Sequence, residues 1–526
     1  MANKALFDAR KRNPRADTVN EAGGIAYRFG PKRALAQYAA TGCLNGTFYA
    51  TAEAQFATVL ALCEANAPEF IARAAIYART KGFMKDLPAL LCAVLSRKSP
   101  GLMAEIFDRV IDSPKMLRNF VQMMRGGAIG RRSLGTLPKR MIAQWLDKRT
   151  DEQLFTGSVG ADPSLGDIIR LAHPKPRNAA RAALYGWLIG GEYDAAALPE
   201  IVREFEAFKK RKQRNEKPLP DVPFQMLTGV PLSDAEWKQI ALRASWQTTR
   251  MNLNTFLRHE VFEDRGVTET IAERIRDPEQ IRKARVFPYQ LLGAFKNASE
   301  QVPMKVRSAL EAAMETAISN IPDIPGKVYV FPDVSGSMHS PVTGERKGAT
   351  TKVRCVDVAA LVAASMLRRN PETTVVPFES TAIEPERLRL WPGDSVMTNA
   401  QRLASLPAGG TNCAAPLALL NQRRAVGDLI IYVSDNESWI GSPSRGLAAG
   451  QATSTMQEWT VFKRRSPKAK MVCIDIQPNF SSQAPEQDDI INVGGFSDTV
   501  FDVIAAVAGG HASREFWVKM IEGVRL

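Results

Sequence analysis

Lys327 to Met338 reads KVYVFPDVSGSM, and the Pro/Gly-rich stretch IPDIPG (321–326) stands immediately before it. A β-branched and aromatic run bounded by turn residues is a strand signal, so Lys327 to Phe331 is expected to be a strand that delivers Asp333 at its end. The same alternation continues towards the C-terminus. A helix is expected at about 351–369, a strand at TTVVPF (373–378) and a helix at about 412–424. A strand at DLIIYVSD (428–435), a helix at about 453–464, a strand at KMVCIDI (470–476) and C-terminal helices complete it. Apolar strands alternating with helices predict a parallel sheet covered on both faces. The domain boundary is expected at about 320–326, with an α/β doubly wound domain over 321–526.

Three segments of this domain carry oxygen ligands at predicted strand ends or loop–helix junctions. They are Asp333-Val334-Ser335-Gly336-Ser337, Gly409-Gly410-Thr411-Asn412, and Ser434-Asp435-Asn436-Glu437. Ligands of open α/β sheets gather outside the carboxyl ends of the strands, where all three segments are expected to meet. Hydroxyls with two carboxylates form an all-oxygen donor set suited to a hard divalent cation, with positions left for water or an acidic ligand. The pattern resembles the DxSxS…T…D metal-ion-dependent adhesion site of von Willebrand factor A domains. That resemblance implies Asp333, Ser335, Ser337, Thr411 and Asp435 as ligands of Mg²⁺, with Mn²⁺ or Ca²⁺ as alternatives. Glu437 matches no ligand position of the family and is not counted.

N-terminal to the boundary the periodicity changes. KRALAQYAATG (32–42), AEAQFATVLALCEANA (52–67), PEFIARAAIYARTKG (68–82) and DLPALLCAVLSRKSP (86–100) carry apolar residues at helical spacing, with breaks expected at Gly42, Pro68, Gly82, Pro88 and Pro100. GLMAEIFDRVIDSP and LGTLPKRMIAQWLDKR continue the pattern. Successive helices of this length suggest an all-α, HEAT-like helical-repeat domain over 1–320, as an arc or a closed ring. The segment EAFKKRKQRNEKPLPDVP (206–223) reads as a basic helix end followed by an extended loop.

Charge separates the two parts. The net charge is +14, and residues 1–320 hold 48 Lys/Arg against 34 Asp/Glu, whereas residues 321–526 hold 21 of each. A basic domain beside a neutral one suggests a polyanionic partner for the first. Arg125, Arg131, Arg132, Lys139 and Arg140 form one basic cluster, and His173, Lys175, Arg177 and Arg181 a second. Pro174 and Pro176 are expected to expose the start of the second cluster ahead of a helix beginning near Asn178. Phosphates there would meet cations and free backbone N–H groups together. The six cysteines show no zinc-ligand spacing and read as buried free thiols of a reducing compartment. The N-terminus lacks the apolar stretch of a signal peptide, and no run of about 18 apolar residues occurs. A cytoplasmic protein with no membrane partner is therefore expected.

The helical part resembles the TROVE domain of the Ro family in a bacterial form. The resemblance is carried by VNEAGGIAYRFGPKRALAQYAATG (19–42) with GTFYA (46–50), GRRSLGTLPKRMIAQWL (130–146), LGDIIRLAHPKPRN (165–178) and KARVFPYQLLGAF (283–295). It implies a ring of helical repeats that binds Y RNA-like small structured non-coding RNA on its outer surface and single-stranded 3′ ends of misfolded RNA in its hole. His173 and Lys175 match the family's RNA-contacting segment, while the other basic residues are assigned by charge and neighbourhood. WQTTRMNLNTFLR (246–258) matches the family only loosely, which puts pore-lining residues there in doubt. The implied function is a non-enzymatic ribonucleoprotein scaffold in RNA quality control, repair or decay, with an exoribonuclease or RNA repair enzyme as a further partner. The alternative is a metal-dependent protein-binding adaptor in which RNA is secondary. A metal-dependent nuclease is disfavoured because a single metal set has no evident base or nucleophile beside it.

Overall fold

The computed structural model describes residues 13–41, 44–160, 162–210, 219–284, 288–318, 321, 323–344, 352–439, 451–477, 479–495, 499–511 and 515–526. The chain divides into two compact units: residues up to Phe56 together with Ile318–Met520, and Ala57–Ala317 together with Ile521–Leu526.

Among its described residues the first unit is built on eight strands. They are β1 (Thr18–Val19), β2 (Ile25–Arg28), β3 (Val328–Pro332), β4 (Thr374–Val375), β5 (Leu429–Ser434), β6 (Lys470–Asp475), β7 (Ser481–Ser482) and β8 (Ile490–Gly494). Five of them form a sheet in the order β4-β3-β5-β6-β8, parallel throughout. Strands β3, β5 and β8 are buried along their whole length, as expected where helices cover both faces. Phe331, Phe378 and Tyr432 pack edge to face within the core. The expected strand 373–378 is shortened to two residues. Pro377 has no N–H to give the ladder, although Val376 and Phe378 still donate to the carbonyls of Val330 and Pro332. Strand β8 and the helix Val396–Ala404 were not anticipated.

The stretch before residue 56 also belongs to this unit, not to the helical one expected over 1–320. Strand β2 pairs antiparallel with β1 and with β7, matching Arg28 to Ser481 and Tyr27 to Ser482. The helix Pro31–Thr41 packs on β8 and buries Arg33, whose guanidinium donates to the carbonyl of Asn492. The motifs at 19–42 and 46–50 therefore lie outside the compact helical unit.

The second unit carries helices and, among its described residues, no strand. Pro68, Pro100 and Pro114 start helices at the first position, where a missing N–H is harmless. Pro88, expected to mark a break, lies in the first turn of Asp86–Lys98 for the same reason. Thr150 with Gln153, Ser164 with Asp167 and Ser233 with Glu236 form reciprocal capping boxes. Helices stack on their chain neighbours: Pro68–Thr80 on Asp86–Lys98, and the latter on Pro100–Val110 and Pro114–Arg125. Such nearest-neighbour stacking is the mark of helical repeats. Cys63, Cys92, Cys355, Cys413 and Cys473 are buried free thiols. Among the described residues no helix is long and apolar enough to cross a membrane.

Candidate functional sites

Chain order places β4 on one side of β3 and β5 on the other, so the crevice outside the carboxyl ends of β3 and β5 is the switch point of the sheet. Asp333 follows β3 directly, and Asp435 follows β5. The backbone N–H of Asp333 donates to Val433, 3.0 Å away, which ties the two strand ends together. The third segment is fastened to both: Gly336 N–H donates to Gly409, and Trp439 N–H to Thr411. A Cβ at Gly409 would lie 1.9 Å from Glu379 Oε2, so this loop and the Glu379 carboxylate approach each other closely.

The five predicted positions, Asp333, Ser335, Ser337, Thr411 and Asp435, are brought together and all are at most 4% exposed. Asp333 Oδ1 accepts from the Ser335 N–H (2.8 Å) and Oδ2 from the Ser434 hydroxyl (2.5 Å). The Ser335 and Ser337 hydroxyls lie 3.3 Å apart. Asp435 accepts from the Glu437 N–H (3.3 Å), while its Oδ2 is buried without a hydrogen-bond partner. Burial, reinforced by the neighbouring Asp435, pushes the Asp333 carboxyl up to about 7. Asp435 is also raised, by burial. Among the described residues neither carboxylate has a Lys or Arg partner. These oxygens could hold a hard divalent cation, which would replace the missing counter-charge.

Three further groups crowd this site and were not read from the sequence. Glu437 is buried, and its carboxyl is raised well above the ordinary range by burial, Asp435 and Glu21. Glu21 is itself raised by burial and by Asp435. The Tyr49 phenol, beside Ser337, is raised by burial and by the charge of Asp435. The only sequence signal was the proximity of Glu437 to Asp435. His339 packs against Arg354, 2.8 Å from Nδ1, and both burial and that cation lower its pKa.

In the helical unit, Arg125 ends the helix Pro114–Arg125, while Lys139 and Arg140 lie in the first half of Thr136–Asp147. All three are exposed, as is Arg132. Arg131 is half-buried and donates to the carbonyls of Ser96 (3.0 Å) and Leu134 (3.4 Å), so its guanidinium is already engaged. His173 caps Leu165–Ala172 in the left-handed conformation (φ 50°), and the exposed Lys175 and Arg177 follow. Asn178 then caps Ala179–Ile189 through Arg181 N–H, leaving the N–H groups of the first turn directed at this loop. Arg177 donates to Asp147, the last residue of the helix that carries Lys139 and Arg140. The two clusters therefore stand near opposite ends of one helix.

Arg181 corrects the expectation. It is fully buried, bonded to the Asp151 carboxylate, to the carbonyls of Leu146 (2.9 Å) and Arg149 (2.5 Å), and to the Tyr185 hydroxyl (3.4 Å). Three of these four bonds hold the turn after Thr136–Asp147, and no phosphate can reach the buried guanidinium. In the loosely matching segment, Trp246 donates to Ile275 and Arg250 to Gln290, while Asn254 links Asn297 and Ser299. Part of the basic segment 206–223 lies outside the described residues, namely 211–218.

A parallel sheet with these three segments at its switch point defines a von Willebrand factor A domain, and the Ro60 vWA domain profile matches residues 327–508. The chain is 26% identical to the RNA-binding protein RO60 of Deinococcus radiodurans over 94% of this chain and 95% of that one. It is 22% identical to the RNA-binding protein RO60 of Caenorhabditis elegans over 46% of this chain and 36% of that one. The crystal structure of the Deinococcus radiodurans RO (RSR) protein superposes with a TM-score of 0.61 at 22% identity, over 92% of this chain and all of the other. The chain is thus similar over nearly its whole length to a bacterial Ro protein, and its residues 327–508 match the Ro60 vWA domain.

Proposed function

We propose that this chain is a non-enzymatic RNA-binding protein, the protein part of a small cytoplasmic ribonucleoprotein. One observation carries the reading. Counted over the structural unit, the helical part holds 41 Lys/Arg against 31 Asp/Glu, so +10 of the net +14 stays with it. The two relatives bear RNA-binding names. Exposed Arg125, Arg132, Lys139 and Arg140 meet the RNA backbone, and His173, Lys175 and Arg177 meet a phosphate at the N-terminus of Ala179–Ile189. Contacts of this kind read shape and charge, with little base specificity. By family resemblance the bound RNAs are Y RNA-like structured RNA and single-stranded 3′ ends of misfolded RNA. The pathway is quality control, repair or decay, with an exoribonuclease or repair enzyme as a further partner. Asp333, Ser335, Ser337, Thr411 and Asp435 hold a divalent cation, supported by the orphaned Asp435 Oδ2.

Reversing charge at Arg132 and Arg140 is expected to weaken binding of RNA with a single-stranded 3′ tail. The dependence of log K on log salt should become shallower by about 0.7 per lost phosphate contact. Titrations at several salt concentrations measure this, and an unchanged slope removes both residues from the interface. Changing His173 and Lys175 to alanine is expected to weaken structured-RNA binding more than tail binding. Competition between the two RNAs tests it, and equal losses would merge the two surfaces into one.

A further inference from the structure

We propose that the face on which an A domain presents its cation is occupied here by the chain's own residues 19–24 and Tyr49, and that this segment and a bound divalent cation hold each other in place. The inference rests on the metal reading above and adds the identity of the occupant. Ala22 N–H donates to Glu437 Oε2 (3.0 Å), and Asn20 Nδ2 donates to the carbonyl of Ser438 (2.8 Å). Asn20 Oδ1 in turn accepts from Gly24 N–H (2.7 Å), folding residues 20–24 into a turn over the segment that carries Asp435. A Cβ at Gly24 would lie 2.0 Å from the Ser438 carbonyl oxygen, so the turn presses directly on that segment. Tyr49 reaches the same site beside Ser337. Covered in this way, all five ligand positions and Glu437 are nearly inaccessible.

Closure removes Asp333, Asp435 and Glu437 from water together. Among the described residues no Lys or Arg accompanies them, and desolvating like charges without a counter-ion is unfavourable. A divalent cation offsets that term only when the segment is closed, while closure excludes the water that competes for the ion. Two events that favour each other are coupled, and the coupling is reciprocal. An acidic partner then meets a face already filled by this chain and lined by Glu21 and Glu437, which disfavours a protein-binding adaptor as the main role.

The test uses the full chain. Mg²⁺ binding is measured by calorimetry, and hydrogen exchange of peptides covering 19–27 is followed in Mg²⁺ and in chelator, with a peptide from 100–110 as the control. Mg²⁺ is expected to slow exchange at 19–27 on the order of tenfold and leave the control unchanged. Asn20→Ala breaks both turn hydrogen bonds without touching a ligand position, and should lose Mg²⁺ affinity by a similar factor. If Mg²⁺ binds the wild type but exchange at 19–27 does not change, the inference is overturned and the metal reading stands. If the wild type binds no Mg²⁺, the metal reading fails first and the inference with it. Should Asn20→Ala fail to fold, the wild-type exchange comparison decides alone.

Discussion

Arg181→Met is expected to destabilise the helical unit by about 3–5 kcal/mol, the usual loss when one member of a buried charged network is removed. The guanidinium is 0% exposed. Without it the Asp151 carboxylate loses its counter-charge, the Arg149 carbonyl loses its donor, and the Leu146 carbonyl keeps only long backbone ones. Each unsatisfied buried acceptor alone costs about 1–3 kcal/mol. Methionine fills most of the volume, so the loss reports the polar network and not a cavity. Denaturant unfolding of wild type and variant measures it. RNA affinity per folded molecule should stay within about twofold under conditions where the variant is folded. A loss confined to RNA binding, with stability intact, would return Arg181 to the RNA surface.

The second large effect concerns the cation. Asp333→Asn keeps an acceptor for the Ser335 N–H and a partner for the Ser434 hydroxyl, but removes the charge at the centre of the donor set. Wild type in Mg²⁺ at a hundredfold excess over Kd should gain about 2.7 kcal/mol. For a unit of this size that is a rise of roughly 5–10 °C in its melting transition. The variant should gain nothing. Its metal-free form should be at least as stable as the wild type, because repulsion between Asp333 and Asp435 is gone. RNA affinity should be unchanged, since Asp333 belongs to the unit that carries little of the excess charge. Thermal melts with and without Mg²⁺, beside RNA titrations, check both statements. A wild-type metal shift in the variant would contradict the ligand assignment.

The candidate metal site was legible because Asp333 and Asp435 sit at the ends of short apolar strands and Thr411 in the loop before a helix, local patterns that periodicity exposes. Leu429–Ser434 and Lys470–Asp475 fall within a residue or two of their expected bounds. The division of the chain was not legible. Residues 25–28 pair with Ser481–Ser482, more than 450 positions away, and nothing local in IAYR announces that partner. The helix at 32–42 was recognised, but its packing on β8 is a tertiary choice that periodicity cannot express. The same reason hid Glu21 and Tyr49 from the candidate metal site. Arg181 failed differently. A basic residue one turn into a helix reads as surface, and only the carbonyls of a neighbouring turn make its burial favourable. Lys139 and Arg140 do lie on the exposed face of Thr136–Asp147, a placement that follows directly from the amphipathic period.

The most direct test of the RNA-binding claim is the salt dependence of wild-type affinity for a 3′-tailed RNA, measured beside the Arg132/Arg140 charge-reversal variant. Several phosphate contacts predict that log K falls with log salt with a slope of about −0.7 per contact, and that the variant's slope is shallower by about 1.4. A wild-type affinity that does not vary with salt, or a variant indistinguishable from it, would contradict an RNA surface built on these basic clusters.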